Sequence, residues 1–389
     1  MTRSAPPNAW QGLYLHVPFC FHKCHYCDFY SIVDSGGRQQ RFTDALLAEL
    51  AEHARQGPIR PRTIFIGGGT PTLLRAEWLQ RLFAGLADSC TLDRLEEFTV
   101  EANPETISPD LMPVLVEGGV NRLSMGAQSF QPDLLKALER WHDPASVGRA
   151  VDLARAAGIA NINLDLIFAV PGQSMAQLDA DLDALLALEP EHVSCYSLIF
   201  EPGTPLTVKM QQGKVRPAGE DLERDMFERV IDRLGEAGFE HYEVSNWARR
   251  PPDTPADAPS PDRCEHNLIY WRSENWLGLG PSAASHRNGR RWKNLAHLGR
   301  YLAEAPHPPR EEDEALEPAR QVGERLMMGL RVREGVPLGW LEDALPPDDP
   351  RWRLIDEFTG HGLIERTDTH LRLTRRGLFL TDAVAEQLL

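Results

Sequence analysis

What the chain lacks narrows its class before any motif is read. No apolar run approaches the ~20 residues that a membrane-spanning helix needs, so transmembrane segments are not expected, while peripheral contact with a membrane stays open. The opening Met-Thr-Arg-Ser-Ala-Pro-Pro-Asn-Ala-Trp has no apolar stretch of the kind a secretory signal carries, which points to a cytoplasmic protein. Basic residues are outnumbered, with 41 Lys and Arg against 57 Asp and Glu and a net charge of −16. A protein that grips a polyanion along an extended face carries the opposite surplus, so nucleic acid is not an expected partner. Six cysteines in 389 residues are too few for a disulfide scaffold. With 42% hydrophobic and 25% charged residues, the rest is an ordinary globular composition, long enough for one large domain and a small one.

The scarce cysteines are concentrated. Cys20-Phe-His-Lys-Cys24-His-Tyr-Cys27 puts three of the six within eight residues, and Cys90, Cys195 and Cys264 are scattered singly, as small buried apolar residues usually are. Three thiolates on so short a loop can hold three irons of a [4Fe-4S] cubane and leave the fourth open to an exogenous ligand. The alternatives are a structural zinc, which needs a fourth ligand such as His22 or His25, and a disulfide.

Short β-rich runs alternate with amphipathic helical stretches after the loop. Strands are expected at Gly12–Val17, Thr63–Ile66, Phe98–Glu101, Asn121–Gly126, Asn161–Phe168 and His192–Phe200, and helical spacing recurs between them, as in Phe42, Ala45, Leu46 and Leu50. Six such units imply a parallel α/β sheet forming an incomplete (β/α)6 barrel, with its chemistry at the strands' C-terminal ends. The barrel is expected to span residues 1–245. A connecting region is expected over 246–310, including a proline-rich loop at 249–262. A small C-terminal α+β domain of winged-helix type is expected over 311–389.

Polar groups do recur at those strand ends. The second expected strand ends in Gly67-Gly-Gly-Thr-Pro71, where glycines permit a ligand to approach the backbone. Later ends carry Glu101-Ala-Asn-Pro104 and Met125-Gly-Ala-Gln128-Ser-Phe130, with Arg140-Trp-His142 beyond. Asp165 lies inside the apolar run Leu164–Val170, and a buried acid requires a partner such as Arg140 or a ligand cation.

These segments, with Tyr14-x-His16-x-Pro18-Phe19-Cys20, Glu201-Pro-Gly-Thr204 and Tyr242-Glu-Val-Ser-Asn246, resemble the HemN/HemW group of radical S-adenosylmethionine (SAM) proteins over most of the chain. The resemblance implies a [4Fe-4S] cluster on Cys20, Cys24 and Cys27 and a SAM near Tyr14, Gly68, Thr70 and Glu101. A second SAM position would involve Tyr26, Gly69, Gln128, Arg140 and Asp165. An electron donor for the cluster is a further implied partner. The group's coproporphyrinogen III oxidases carry another cysteine two residues after the third, where this chain has Phe29, and only thirteen residues precede Tyr14 in place of their longer extension. His266-Asn-Leu-Ile-Tyr-Trp271 instead matches the HNxxYW pattern of the group's heme chaperones, which implies heme as a ligand, respiratory-type hemoproteins as acceptors, and His266 as an axial ligand. Cys264, His241, His286 and His297 are rival ligands, and a structural His266 beside a core aromatic pair is the alternative to ligation. The function expected is that of a heme carrier. The competing readings are the decarboxylating oxidase and another two-SAM enzyme such as a methyltransferase.

Overall fold

The computed structural model describes residues 9–34, 37–255 and 258–389, so the first eight residues and part of the proline-rich loop lie outside it. Twelve strands form one sheet. In chain order they are β1 (Gly12–Val17), β2 (Thr63–Gly68), β3 (Glu97–Ala102), β4 (Arg122–Gln128), β5 (Asn161–Phe168), β6 (His192–Ser197), β7 (Phe239–Glu243), β8 (Asn246–Arg249), β9 (Trp276–Leu279), β10 (Ala284–Arg287), β11 (Arg290–Asn294) and β12 (Arg310–Ala315). Their spatial order is β12-β11-β10-β9-β1-β2-β3-β4-β5-β6-β8-β7, and the two outer strands do not pair with each other, so the barrel is incomplete.

β1 to β6 run parallel in sequence order, each step made through a helical crossover, as the alternation of apolar strand and amphipathic helix predicts. β1 is near-continuously apolar and buried, as a strand covered on both faces must be. Helix starts carry local signals. Ser174 and Gln177 form a reciprocal capping box at Met175–Ala187, and Asp143 caps Pro144–Ala156.

Two features depart from the expected architecture. Residues 246–310 do not merely connect two units. They carry β8 to β11 and the start of β12, and β9 pairs in parallel with β1 through Gly12↔Trp276, giving a seventh parallel strand. The stretch is polar and interrupted, so its strand character comes from pairing with β1 and not from its own pattern. β6 also ends at Ser197, three residues before the expected end, and its continuation leaves Ile199 exposed.

The C-terminal unit has its own core, including Leu326, Leu330, Ile355, Phe358 and Leu371, and its three-stranded sheet joins Val336–Pro337, His370–Leu373 and Ile364–Arg366. Backbone bonds from Val244 N to Arg331 O (3.0 Å) and from Arg333 N to Tyr242 O (2.9 Å) attach it beside β7.

Glu49, on helix Gln39–Gln56, fastens the added strands to the barrel. Its buried carboxylate accepts from Gly280 N (2.9 Å), Asn294 Nδ2 (2.7 Å) and Tyr301 OH (2.6 Å), and burial pushes its pKa up to about 7. Glu49→Leu takes the acceptor from Gly280 N and Tyr301 OH and one of two acceptors from Asn294 Nδ2, which keeps Gly280 O (3.0 Å), and each buried donor left without an acceptor costs about 1–3 kcal/mol. Urea unfolding is expected to show a clearly lower midpoint for this variant, and an unchanged midpoint would refute the clasp.

Candidate functional site

At the C-terminal ends of β1 to β6 the chain encloses a cavity of about 390 Å³. Cys20, Cys24 and Cys27 line it, on the loop between β1 and helix Gln39–Gln56. Local packing sets the loop's course. Ile32 N donates to Pro18 O (2.7 Å), and His16 Nε2 pairs with Tyr30 O (2.8 Å) while its Nδ1 meets the Tyr14 hydroxyl (3.0 Å). On the far side Leu206 N donates to His25 O (3.0 Å), buttressing the loop with helix Pro205–Gln211.

The glycine run sits against this loop at backbone distance. Gly69 N donates to Val17 O and Thr70 N to Phe19 O, both at 2.7 Å. A Cβ on Gly69 would fall 2.6 Å from Phe19 O and 2.9 Å from Val17 O, and one on Gly68, at φ +104°, would lie 2.5 Å from the His16 ring. Only glycine permits this contact. The Thr70 hydroxyl lies 3.8 Å from Cys20 Sγ.

Gln128 closes β4 at φ +63° where the register with β5 shifts, a conformation that costs a non-glycine residue energy. The turn after it is held by buried Asp181, which accepts from Ser129 Oγ (2.8 Å) and Phe130 N (2.7 Å). Gly126 leaves room for Arg140, whose Nη2 donates to Gly126 O (3.1 Å) and whose Nη1 reaches Cys24 Sγ (3.7 Å).

Charge in the cavity is unbalanced. Burial first, and then the nearby Asp165, raises the Glu101 pKa to about 7, although Gly68 N donates to its Oε2 (3.0 Å). Burial likewise raises Asp165, which accepts from Asn163 Nδ2 (2.7 Å) and has Arg122 and Arg140 only as more distant charges. Two buried carboxylates facing one cavity favour a ligand that brings positive charge. Burial also pushes the Cys27 thiol up to about 11, with Lys23 the cation that opposes the rise, so its thiolate needs further positive charge of the kind that iron supplies. Among the described residues no three His, Cys, Asp or Glu side chains are placed to hold a single metal ion.

Of the ten residues expected to bind cofactors, eight line this cavity: Tyr26, Gly68, Gly69, Thr70, Glu101, Gln128, Arg140 and Asp165. Tyr14 does not. It lies lower in the barrel, with its hydroxyl engaged by His16. His266 does not either. It is 1% exposed, with Nδ1 2.6 Å from Thr63 Oγ1 and Nε2 2.7 Å from Tyr270 OH, and its ring stacks on Phe65 at 5.1 Å. Thr63 starts β2, whereas Gly68 ends it at the cavity, about 16 Å further at ~3.3 Å per residue. Both imidazole nitrogens are occupied, and burial pushes the pKa down to about 3, so this conformation presents no nitrogen to a heme iron. The ring plugs the opposite end of the barrel. The rivals Cys264, His241, His286 and His297 do not line the cavity, and Cys90, Cys195 and Cys264 are buried.

Sequence reasoning missed the cavity's outer wall, where Phe21, Trp141, Tyr196 and Ile199 are exposed beside Phe29. Apolar side chains on a loop carry no periodic signal. The usable clue was their position just past a cysteine or a strand end.

Residues 14–185 match the radical SAM superfamily and residues 316–380 the HemN C-terminal domain. The chain is 35% identical to the heme chaperone HemW of Lactococcus lactis, covering 97% of this chain and 96% of that one. It is 34% identical to the Bacillus subtilis HemW (96% and 98% covered) and 32% identical to that of Escherichia coli (97% and 98%). The structure of the coproporphyrinogen III oxidase HemN of Escherichia coli superposes with a TM-score of 0.82 at 21% identity, over 99% of this chain and 91% of that one, which shows the same fold.

Gly69→Ala tests the backbone contact. The added methyl meets two carbonyl oxygens, and overpacking of this kind costs about 1–3 kcal/mol. The variant is expected to melt lower and to retain much less iron and sulfide after anaerobic reconstitution. Wild-type iron loading would show that the loop tolerates a side chain there.

Proposed function

The chain belongs to the HemW family of heme chaperones within the radical SAM superfamily, and from that premise we propose that it binds heme and delivers it to acceptor hemoproteins, holding a [4Fe-4S] cluster and SAM in the cavity described above. The observation that carries the chaperone reading is similarity over nearly the full length of three HemW proteins. The match to the oxidase supports the fold alone, and Phe29 stands where the oxidase pattern has a further cysteine.

Cys20, Cys24 and Cys27 would hold the cluster, leaving one iron for SAM. When bound and reduced by an electron donor, the cluster supplies the electron that cleaves a SAM carbon–sulfur bond. The protein's own groups do the positioning. The backbone edge at Gly68–Thr70 would receive the methionine end of SAM, and Glu101 its hydroxyl or ammonium donors. Arg140 balances thiolate charge beside Cys24. Asp165, Gln128 and Tyr26 complete the wall. A cavity of about 390 Å³ falls within the ~300–1,000 Å³ typical of ligand sites.

Hemin titration of the anaerobically reconstituted protein, followed by transfer to an apo-hemoprotein, tests the reading. A Soret band that moves to the acceptor is expected. Vinyl product from coproporphyrinogen III without stable heme binding would overturn it in favour of the oxidase.

Glu101 gives the SAM site a pH signature. Its carboxyl, at about 7 in the free protein, must ionise to accept ligand donors fully, so SAM affinity should rise with pH up to about 7 and then level off. In Glu101→Gln that rise should vanish, as read by equilibrium dialysis from pH 6 to 8. A rise that persists in the variant would remove Glu101 from the site.

A further inference from the structure

A second hollow, of about 420 Å³, lies behind the cluster loop, and its charge is opposite to that of the chain. Lys136, Lys209, Lys214 and Arg216 line it, and no Asp or Glu does. The sequence has only five lysines and a net charge of −16, yet three of the five meet here. Most cations of this chain are paired with acids, as Arg81 is with Asp44 (2.6 Å) and Arg290 with Asp313 (2.9 Å). Lys136, Lys214 and Arg216 are exposed and form no ion pair among the described residues. A lysine in the last turn of a helix answers the helix dipole, which accounts for Lys136 on Pro132–Ala137 and Lys209 on Pro205–Gln211. Lys214 and Arg216 lie past the second helix, where that reason lapses.

The hollow adjoins the cluster loop. Lys209 Nζ meets His25 Nδ1 (3.0 Å), between Cys24 and Cys27, and Glu139 Oε1 (3.5 Å). Leu206, whose N bonds His25 O, shares with Ala137 and Val215 an apolar cluster against which Tyr26 of the cofactor cavity also packs. That cluster is what separates the basic hollow from the cavity. On the loop's outer side the surface runs through His25 and His22, with ring centroids 6.4 Å apart, to exposed Trp141, stacked on His22 at 4.2 Å. Cations bordered by exposed aromatic surface fit a protein partner, whereas a small anion would use the cations alone.

We propose that this basic surface docks an acidic electron-carrier protein, which passes one electron to the cluster behind His25. This rests on the cofactor reading given above and specifies where the reductant binds. The carrier loses one electron and the cluster gains it, and no atom is transferred. Opposite charge speeds the encounter and orients it, which suits a transient contact that must release its partner after each electron. Acids beside the patch are already engaged, Asp133 by Gln177 Nε2 (2.9 Å) and Glu139 by Lys209.

The test uses the full chain with its cluster reconstituted and iron and sulfide assayed. Reduced flavodoxin and reduced ferredoxin, acidic flavin and iron–sulfur carriers, are each mixed anaerobically with wild type, Lys214→Glu, Arg216→Glu and the double variant. Freeze-quench electron paramagnetic resonance times the cluster's reduction, and calorimetry measures binding of the oxidised carriers. Arg353→Glu, the same charge change at an exposed site on the C-terminal unit, controls for net charge. Photoreduced deazariboflavin, an uncharged reductant, controls for the cluster, and circular dichroism for folding. With a carrier that reduces the wild type, the rate should fall as salt rises. The double variant should be about tenfold slower at low salt and bind the carrier more weakly. Each single variant should be slower than Arg353→Glu, and deazariboflavin should reduce all alike. Carrier rates and affinities that match wild type in the basic-surface variants, or wild-type rates independent of salt, would overturn the docking surface. So would a wild type that deazariboflavin reduces and neither carrier does. Pyrophosphate that binds the wild type without slowing the carriers would overturn it in favour of a small-anion site. Absence of any cluster that deazariboflavin can reduce would instead remove the cofactor reading, and the docking surface with it.

Discussion

The site depends on how closely two pieces of backbone approach each other. The glycine run at the end of β2 donates two hydrogen bonds to Val17 and Phe19, immediately before the first cysteine. No side chain fits between them, and the left-handed φ of Gly68 accommodates the His16 ring that in turn ties Tyr30. A cysteine loop has little apolar content of its own to fold on. Here it is positioned by bonds to strand ends that are themselves part of a buried sheet, so the rigidity of the barrel passes to the thiols. The Leu206 bond to His25 supplies the same support from the opposite side.

Electrostatics act on top of that geometry. Glu101 and Asp165 are kept inside the barrel at a cost that burial makes plain, since both are pushed towards the neutral form. A cavity evolved only for packing would not retain two acids whose nearest cations are shared with other groups. The arrangement makes sense for a ligand that carries positive charge and leaves. Arg140 stands apart from the two acids, with its guanidinium turned to Cys24 Sγ.

How much of this could be read from the chain follows from the range of each interaction. Cysteine spacing, the Gly67–Thr70 run and the strand-end acids are local patterns, and of the ten cofactor residues that the family resemblance implied from them and their neighbours the cavity assembles eight. The seventh parallel strand was not legible, because Trp276–Leu279 becomes a strand by pairing with β1 far away in sequence. Tyr14 and His266 were placed by pattern alone. A motif records which residues recur together, but not which end of a barrel they face, and the hydrogen bonds to Thr63 and Tyr270 that engage His266 in this conformation are tertiary.

The relocation of His266 changes what the family's HNxxYW segment can be doing. Cys264 N donates to the Tyr242 hydroxyl (3.1 Å), that hydroxyl pairs with His192 Nε2 (2.8 Å), and His192 Nδ1 meets Asn163 Oδ1 (2.6 Å). Asn163 then donates to Asp165 at the cavity wall (2.7 Å). The cap of the helix bearing His266 is thus joined to the cofactor cavity by an unbroken chain of buried hydrogen bonds. Buried polar networks of this kind are costly when half satisfied and specify one arrangement when complete. In this conformation the histidine of the segment serves shape and bonding, with both of its ring nitrogens engaged.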